Sequence, residues 1–436
     1  MKITHATKPL KGEIVVPGDK SISHRSIMFG AIAEGDTAVR GFLKSADCIS
    51  TMNCFRKMGV EIEEGHDAAG DYILVHGKGL HGLKKPESEL DCGNSGTTTR
   101  LIAGILAGQD FETRLTGDSS LSKRPMKRVI EPLSSLGASI RSENNNARLP
   151  IIISRGELKG GEIRTSVASA QVKSAILLSG LYADAETRVI EPVLSRNHTE
   201  LMLSAFGADI VSGTVDKPVS LIRPSERLTG LSVTVPGDIS SAAYFMGAAL
   251  IVPGSEILLK NVGINPTRDG ILRVFRDMGG NITIENERYE TGEKCADILV
   301  KYTPGLKGTG ISGDIIPALI DEIPLIAVVA AAAEGDTVIK DAAELKVKES
   351  DRISLTVDNL NAMGADAEAK EDGMVIHGGK NLHHAVIDTA KDHRIAMSFS
   401  IAALISRSVQ PVEIKDSACV GISYPEFYKD LDSLMR

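Results

Sequence analysis

Apolar and polar residues follow one another along this 436-residue chain in blocks of two kinds. Stretches of small apolar residues, such as 326–333, predict buried helices, whereas short β-branched stretches, such as 412–414, predict strands. Each block has the same order: a small-residue helix, a turn rich in Gly and Asp, a short strand, a loop and a second, amphipathic helix. The pattern therefore predicts strands and helices that alternate throughout the chain.

A hydrophobic residue, a glycine and a small residue follow the second helix of each block. This signal occurs five times, at Gly59, Gly137, Gly207, Gly279 and Gly364. Glycine is typical of the position just after a helix end, where the backbone takes a positive φ. A sixth block starts at 412–414. The sequence thus predicts six repeats of about 73 residues each.

A second symmetry divides the chain into halves. The tetrapeptide Val-Pro-Gly-Asp at 16–19 returns at 235–238, half a chain later. We expect two domains of three repeats each. Residues 19–236 form one domain, and residues 1–18 with 237–436 form the other, which is discontinuous. Hinges are expected near Pro17-Gly18 and Pro236-Gly237.

Composition limits the partners. The chain has 49 basic and 57 acidic residues, a net charge of −8, which disfavours nucleic acid. Five scattered cysteines without a CxxC pair predict no disulfide framework, so we expect a reducing, cytoplasmic location. The longest apolar run, 326–333, is too short to span a bilayer, and the N-terminal residues lack the apolar core of a signal peptide. We therefore expect no membrane partner.

The first candidate chemistry follows the first Val-Pro-Gly-Asp. Lys20, Ser21 and Arg25 stand there, whereas the second copy continues with Ile239 and small residues. Lys20 and Ser21 open a predicted helix, whose free N–H groups and positive dipole end favour an anion. An exposed Lys and Arg at the start of a helix would give the same pattern, so this segment alone leaves both interpretations open.

Two further segments of the first half could bind an anion. A turn rich in Gly, Ser and Thr, with Asn94 and Gly96, leads into a predicted helix at 101–107 and offers backbone N–H groups. Arg124 precedes Pro125, which we expect in the first turn of a helix, and its guanidinium matches a carboxylate or a phosphate. A helix cap and a solvated basic loop are the simpler interpretations.

Helix starts carry polar groups in the second half as well as the first. Ser169 and Gln171 open a predicted helix. Asp321 and Glu322 precede another, at 325–333, where they are either partners of the helix dipole or a catalytic base.

Two charged segments complete the candidates. Helical spacing predicts Lys348 and Arg352 on one helix face, with Glu349 beside Arg352. His393 and Arg394 precede a predicted small-residue helix at 395–403, and His393 fits a core or capping position. No His or Cys cluster has metal-ligand spacing, and no nucleophile elbow occurs, so we predict no metal.

Seven motifs together carry a family resemblance. GDKSISHR, NSGTTTR, KRP, SAQVKSA, DE, KESDR and DHRIAMS occur in the order found in the 5-enolpyruvylshikimate-3-phosphate synthase family. SAQVKSA and SRNHTE resemble its class II form. The resemblance implies an α/β fold, a two-domain inside-out α/β barrel in which each domain has three βαβαββ units about a pseudo-threefold axis.

The resemblance also implies an activity. The family transfers the enolpyruvyl group of phosphoenolpyruvate to the 5-hydroxyl of shikimate 3-phosphate and releases phosphate, through a tetrahedral intermediate and without a metal or cofactor. It implies a cytoplasmic monomer whose partners are these two small molecules, and which is a target of glyphosate.

The motifs carry the implied roles residue by residue. The implied catalytic residues are Asp321, Glu349 and Lys20, with Asp321 as the base for the 5-hydroxyl. The implied shikimate 3-phosphate ligands are Lys20, Ser21, Arg25, Ser169, Gln171, Ser195, Arg196, Asp321 and Lys348. The implied phosphoenolpyruvate ligands are Lys20, Asn94, Gly96, Arg124, Gln171, Arg352 and Arg394. Since these residues come from both halves, we expect catalysis to require the halves to close together.

The chain departs from the family pattern at one point, and alternatives stay open. Other members carry a Lys in the motif before Tyr424-Pro425, whereas this chain has Ile422 and Ser423 there. Gly96 leaves room for glyphosate, and we expect intermediate sensitivity. The sister UDP-N-acetylglucosamine enolpyruvyltransferase has a Cys where this chain has Ser119. A non-catalytic repeat scaffold is the remaining alternative, although charged residues at only some unit ends argue against it.

Overall fold

A computed structural model describes residues 1–435. Within them lie thirteen α-helices: α1 Lys20–Ile32, α2 Ala46–Lys57, α3 Gly96–Leu106, α4 Lys127–Ser135, α5 Ala170–Gly180, α6 His198–Ala205, α7 Ile239–Ile251, α8 Gly270–Asp277, α9 Ile316–Leu319, α10 Ile323–Ala332, α11 Arg352–Ala362, α12 His393–Ala403 and α13 Phe427–Leu434. Four 3₁₀ helices join them: Leu121–Lys123, Gly313–Ile315, Ala343–Val347 and Ser417–Ile422.

Twenty-three strands lie between the helices of the described chain. They are β1 Lys2–Ile3, β2 Lys11–Ile14, β3 Asp36–Arg40, β4 Glu61–Asp67, β5 Gly70–His76, β6 Leu90–Asp91, β7 Thr113–Thr116, β8 Ser139–Ser142, β9 Ile151–Ser154, β10 Gly161–Arg164, β11 Thr187–Ile190, β12 Ile210–Val211, β13 Val219–Ile222, β14 Ser232–Thr234, β15 Glu256–Gly263, β16 Asn281–Glu290, β17 Glu293–Lys301, β18 Gly310–Ile311, β19 Asp336–Ile339, β20 Asp366–Ala369, β21 Met374–His377, β22 Val386–Ile387 and β23 Val412–Ile414.

Six small sheets correspond to the six repeats. Their strand orders are β14-β3-β5-β4, β6-β7-β9-β8, β10-β11-β13-β12, β16-β17-β15-β2, β18-β19-β21-β20 and β1-β23-β22. Each sheet contains a parallel pair, as β6 with β7 or β18 with β19, together with antiparallel pairing, as β7 with β9 and β8 with β9. The chain order β6-α3-β7-α4-β8-β9 is one complete βαβαββ unit.

The five repeated glycines end five helices, as the pattern predicts. Each takes a φ between 84° and 94° just after α2, α4, α6, α8 or α11. At Gly137 the N–H donates to the carbonyl of Ser134 at 3.0 Å, and the N–H of Ala138 donates to that of Leu133 at 3.0 Å. This pair of bonds is a Schellman motif, which satisfies the last carbonyls of the helix and turns the chain into the next strand.

The small-residue helices form the two cores. In one core α1, α3 and α5 are buried almost along their whole length, and in the other α7, α10 and α12 are. A Cβ on Gly104 of α3 would lie 2.2 Å from the backbone oxygen of Ala175 in α5. Helices that approach so closely need glycine and alanine, which accounts for the abundance of small residues.

The chain divides into two compact units. The first comprises Met1–Pro17, Gly237–Arg288 and the chain from Lys294 to the end of the described residues, and the second comprises Gly18–Pro236 and Tyr289–Glu293. Within the first unit β2 pairs in parallel with β15, and within the second β14 pairs in parallel with β3. In each unit, one sheet therefore contains a strand that is distant in sequence from the strand it pairs with: β2 in the first unit and β14 in the second.

Two local predictions are wrong. Pro125 lies before Met126, the N-terminal cap of α4, rather than in the first helical turn. Lys348 and Arg352 do not share a helix face, because Asp351 caps α11 by accepting from the N–H groups of Ile353 and Ser354, so the helix begins at Arg352. Lys348 lies in the turn before it.

Among the described residues no single helix is both long and apolar enough to cross a membrane. Gly313–Leu319 and Ile323–Ala332, which are bent by 107° relative to each other, satisfy the same criteria of length and composition only when taken as a pair.

Candidate active site

One guanidinium in the first unit binds three carboxylates. Arg352 is 1% exposed. Its Nε donates to Asp392 Oδ2 at 2.8 Å, one terminal nitrogen to Asp321 Oδ1 at 3.2 Å and the other to Glu349 Oε2 at 2.6 Å. Burial by itself lowers the pKa of Arg352, but the three carboxylates raise it above its ordinary value. Arg352 therefore stays charged and fixes the positions of two candidate proton-transfer groups.

Asp392 anchors this arrangement. It is the N-terminal cap of α12, fully buried, and its Oδ1 accepts from the backbone N–H of Arg394 at 2.9 Å. Its Oδ2 also accepts from the hydroxyl of Ser350 at 2.9 Å. Burial favours the neutral acid, yet Arg352 holds the pKa of Asp392 below its usual range.

Glu349 and Lys348 occupy the turn before α11. Desolvation by its neighbours would raise the pKa of Glu349, whose side chain is 38% exposed, but the charge of Arg352 holds it well below its ordinary value. The carboxylate is thus ionised and able to accept a proton. The Nζ of Lys348 lies 3.8 Å from Asp321 Oδ1, so Asp321 has two cations beside it.

The adjacent acids Asp321 and Glu322 have different surroundings. The Asp321 side chain is 16% exposed. Glu322 is buried at the start of α10, where it accepts from the hydroxyl of Ser240 and lies 3.8 Å from Arg394. Glu322 therefore acts on the position of Arg394, whose pKa is lowered by burial but raised overall by Tyr244, Asp321 and Glu322.

His393 is a buried core residue at the start of α12. Burial, with the neighbouring Arg394, lowers its pKa to about 4, so the imidazole is neutral at pH 7. Of the two interpretations that the sequence left open, the core position holds.

The second unit brings the starts of α1 and α2 together. Asp19 caps α1 by accepting from the N–H of Ile22 at 2.9 Å, and the ammonium of Lys20 pairs with Asp47 in the first turn of α2. Ser21 lies half-buried in the first turn of α1, and its carbonyl accepts from Arg25 at 3.0 Å.

Arg25 is buried and held by its neighbours. Its Nε donates to Thr199 Oγ1 at 2.7 Å and a terminal nitrogen to Ser174 Oγ at 2.9 Å, so it links α1 with α5 and α6. Burial lowers the pKa of Arg25 to about 10, which leaves it charged at neutral pH.

The start of α3 carries a cationic cluster. A Cβ on Gly96 would lie 2.9 Å from one terminal nitrogen of Arg100 and 3.6 Å from one of Arg124. Arg124 donates to Asn94 Oδ1 at 2.6 Å, and Arg100 donates to Gln171 Oε1. Four of the predicted ligands, Asn94, Gly96, Arg124 and Gln171, therefore belong to one cluster.

The remaining predicted ligands flank α5 and α6. Ser169 is the half-buried N-terminal cap residue of α5, and Arg196 is half-buried before α6. Ser195 is buried, and its carbonyl accepts from Lys173 at 3.2 Å.

Sequence reasoning assigned no positioning role to four groups that hold these residues in place: Arg100, Lys173, Glu322 and Asp392. Each stands within a motif already singled out, but its partner lies far away in the sequence. A separate group, Glu61, Glu63 and His76, has ligand atoms within 4.8 Å of one another and could hold a metal ion, but it shares no residue with the sites above.

Comparison with known proteins decides the family. A model described as EPSP synthase (3-phosphoshikimate 1-carboxyvinyltransferase) matches residues 4–431. The chain belongs to the EPSP synthase family. Relatives named 3-phosphoshikimate 1-carboxyvinyltransferase include one from Thermoanaerobacter sp., 54% identical over 98% of both chains. Another, from Bacillus pumilus, is 52% identical over the full length of both.

A solved structure of a family member confirms the expected fold class. The EPSP synthase of Acinetobacter baumannii superimposes with a TM-score of 0.89 at 46% identity, covering 99% of this chain and 97% of that one. This EPSP synthase family chain is thus an enzyme of the two-domain inside-out α/β fold.

Proposed function

We propose that the chain transfers the enolpyruvyl group of phosphoenolpyruvate to the 5-hydroxyl of shikimate 3-phosphate and releases phosphate. The full-length match to the EPSP synthase family supports this. The structural observation that carries it is Arg352, a permanent cation whose donors hold Asp321 and Glu349 at 3.2 Å and 2.6 Å. Addition and elimination each need a proton moved, and two carboxylates held in place supply that chemistry.

The proposed roles divide between the two carboxylates. Asp321 takes the proton of the attacking 5-hydroxyl. Glu349, with Lys20, carries the proton to the methylene carbon of phosphoenolpyruvate during addition and removes it during elimination, when the C–O bond to phosphate breaks. Glu349 is ionised, which suits removal. Before addition it takes up a proton from solvent, which the negative charge of bound phosphoenolpyruvate favours, and it then donates that proton to the methylene carbon.

The cationic side chains are proposed to bind the two anionic substrates. We propose that Lys20, Asn94, Gly96, Arg124, Gln171, Arg352 and Arg394 bind phosphoenolpyruvate. Arginine suits this substrate, because its planar fork matches both a carboxylate and a phosphate. Shikimate 3-phosphate is assigned to Lys20, Ser21, Arg25, Ser169, Gln171, Ser195, Arg196, Asp321 and Lys348.

Phosphate release tests the proposal. The protein is given phosphoenolpyruvate with either shikimate 3-phosphate or UDP-N-acetylglucosamine, and inorganic phosphate is measured. Release with shikimate 3-phosphate alone is expected. Release with the sugar nucleotide alone would replace this function by that of the sister enzyme, which Ser119 in place of a thiol disfavours. Intermediate sensitivity to glyphosate stays a prediction, and the same assay tests it by measuring how far glyphosate reduces phosphate release.

We further propose a monomer in a reducing, cytoplasmic compartment, without a nucleic-acid or membrane partner. The five cysteines, four of them buried and none in a disulfide within the described chain, and the net charge of −8 support this. The segments at Pro17-Gly18 and Pro236-Gly237 are proposed as hinges. In support, the Asp19 N–H donates to the Pro236 carbonyl at 2.8 Å, and the Asp238 N–H donates to the Pro17 carbonyl at 2.8 Å.

A further inference from the structure

A buried lysine lies behind the loop that carries Ser195 and Arg196. Lys173, on α5, has no exposed side-chain surface. Its Nζ lies 3.0 Å from Glu191 Oε2 and 2.9 Å from Glu200 Oε1, and it donates to the carbonyl of Ser195 at 3.2 Å. An ammonium has three protons, and this one has three acceptors on two different segments.

Ser195 is held from both sides of its backbone. Its N–H donates to Glu191 Oε2 at 3.2 Å, the same oxygen that pairs with Lys173, while its carbonyl accepts from Lys173. Glu200 is fixed in turn by the hydroxyl of Ser220, which donates to its Oε1 at 2.9 Å. The loop before α6 is therefore anchored to α5 and β13 through one ammonium.

The Ser195 hydroxyl, unlike the N–H and the carbonyl of the same residue, makes no hydrogen bond within the described residues. Ser195 is 3% exposed, and its Oγ is buried without a hydrogen-bond partner. A buried hydroxyl without a partner is costly unless a ligand completes it. The backbone bonds to Lys173 and Glu191 thus hold an unused donor in place.

The charges of this cluster also bear on the neighbouring arginines. Lys173 with Glu191 and Glu200 amounts to one cation and two anions. Glu200 favours the charged form of Arg25, whereas Arg196 disfavours it. The surplus negative charge therefore offsets the repulsion between two guanidiniums that would both serve one phosphate.

We propose that Lys173 is a positioning residue for the phosphate group of shikimate 3-phosphate, acting through the backbone of Ser195 and through the charge balance of Arg25 and Arg196. This inference rests on the function proposed above. It assigns Lys173 no contact with substrate.

Kinetics of Lys173→Met test the inference. We expect the KM for shikimate 3-phosphate to rise about 10- to 100-fold, as the loss of a charge-assisted hydrogen bond implies, with the KM for phosphoenolpyruvate within about twofold of wild type. The matched control is Gln109→Leu, another buried polar residue of the same unit. Gln109 lies just after α3 and donates to the carbonyls of Leu80 and Ile105. The Gln109→Leu substitution should lower the melting temperature of the protein without changing the KM for shikimate 3-phosphate or for phosphoenolpyruvate.

Lys173→Met leaves two buried carboxylates uncompensated, so a second variant is included in case this one does not fold. Lys173→Met combined with Glu191→Gln and Glu200→Gln removes all three charges, and the same split between the two KM values is expected. Unchanged KM values in a folded variant, or a parallel rise of both, would overturn the inference alone. Absence of the wild-type reaction with shikimate 3-phosphate would overturn the proposed function and the inference with it.

Discussion

Arg352 and Asp392, 40 residues apart in sequence, form a buried ion pair in which the arginine donates from Nε to Oδ2 at 2.8 Å and from a terminal nitrogen to Oδ1 at 3.3 Å. Asp392 caps α12 while Arg352 begins α11. The pair therefore fixes the starts of two helices relative to each other and orients the remaining donors of Arg352 toward Asp321 and Glu349.

Asp392→Asn should weaken this orientation and spare the helix cap. Asparagine caps a helix about as well as aspartate, so α12 should persist while the charge facing Arg352 is lost. We expect kcat/KM for phosphoenolpyruvate to fall about 10- to 100-fold and the free energy of unfolding to fall by about 3 kcal/mol. Steady-state kinetics and urea denaturation measure the two effects.

The matched control is Asp351→Asn. Asp351 caps α11 through the N–H groups of Ile353 and Ser354 and through the Ser354 hydroxyl. Its replacement should leave kcat/KM within about twofold. Equal losses in both variants would mean that the Asp392 charge has no special role.

Asp321→Asn should abolish most turnover and spare binding. The amide keeps the shape of the side chain but cannot take a proton from a hydroxyl. We expect kcat to fall by a factor of about 10²–10⁴, the usual contribution of a general base, while calorimetry still detects shikimate 3-phosphate. Asp314→Asn, at an exposed position of the preceding 3₁₀ helix, is the control. A kcat close to wild type would remove Asp321 from the mechanism.

The fall in the free energy of unfolding at acid pH should depend in part on the protonation of Glu349. Desolvation opposes ionisation, but Arg352 holds the folded pKa of Glu349 below the ordinary 4.5, so its ionised form stabilises the fold above pH 4.5. This contribution is lost as the pH falls through that value toward the folded pKa, because the unfolded chain binds the proton first. Urea unfolding between pH 3 and 6 should therefore show a shallower decline in Glu349→Gln than in wild type. Parallel profiles would show that the two states bind the proton equally.

Much of the architecture could be predicted from local pattern, because the signals that set it are local. A glycine after an amphipathic helix specifies a positive φ at that residue alone, and all five such glycines have it. The start of α11 escaped prediction for an equally local reason. Periodicity extends a helix back through Lys348, but the Asp351 side chain satisfies the first N–H groups and the helix begins after it.

Most partners within the site could not be read from the sequence. Spacing predicted Glu349 beside Arg352, three residues away, but no periodicity links Arg352 to Asp321 and Asp392, which are 31 and 40 residues away. Motif resemblance supplied candidate ligands, whereas the residues that orient them, such as Lys173 and Asp392, became visible only through their distances. Long-range pairing is a property of the packed fold.

Gly96→Ala and Gly104→Ala should separate function from stability on one helix. A Cβ at position 96 would meet a terminal nitrogen of Arg100 at 2.9 Å, and that flexible side chain can move away from Gln171. A Cβ at position 104 would lie 2.2 Å from the backbone oxygen of Ala175, which cannot move without its helix.

We therefore expect Gly96→Ala to fold normally and to raise the KM for phosphoenolpyruvate about 10-fold. Gly104→Ala should lower the free energy of unfolding by about 1–3 kcal/mol, as overpacking does, and leave the KM of the remaining folded enzyme near wild type. Thermal melts and initial rates measure both variants. A loss of stability at position 96 instead would contradict the assignment of that clash to a movable side chain.

His76 and His377, which occupy equivalent positions in two sheets, should each have a pKa above the ordinary value for histidine. Nδ1 of His76 lies 2.8 Å from Asp36 Oδ1 across β3 and β5, and Nδ1 of His377 lies 2.8 Å from Asp336 Oδ1 across β19 and β21. These carboxylates raise the pKa of each histidine above 6.5, so the charged pair stabilises the fold below pH 6.5 and loses its effect as the pH rises through the folded pKa.

Asp36→Asn should return the pKa of His76 toward 6.5 and leave His377 unchanged, and Asp336→Asn should do the reverse. Imidazole proton shifts in an NMR titration between pH 5 and 9 resolve the two residues. Each variant is the control for the other, because the pairs lie on different sheets of different units. A titration of His76 that does not respond to Asp36→Asn would assign its raised pKa to the neighbouring Glu61 and Glu63 instead, since both also favour the charged imidazole.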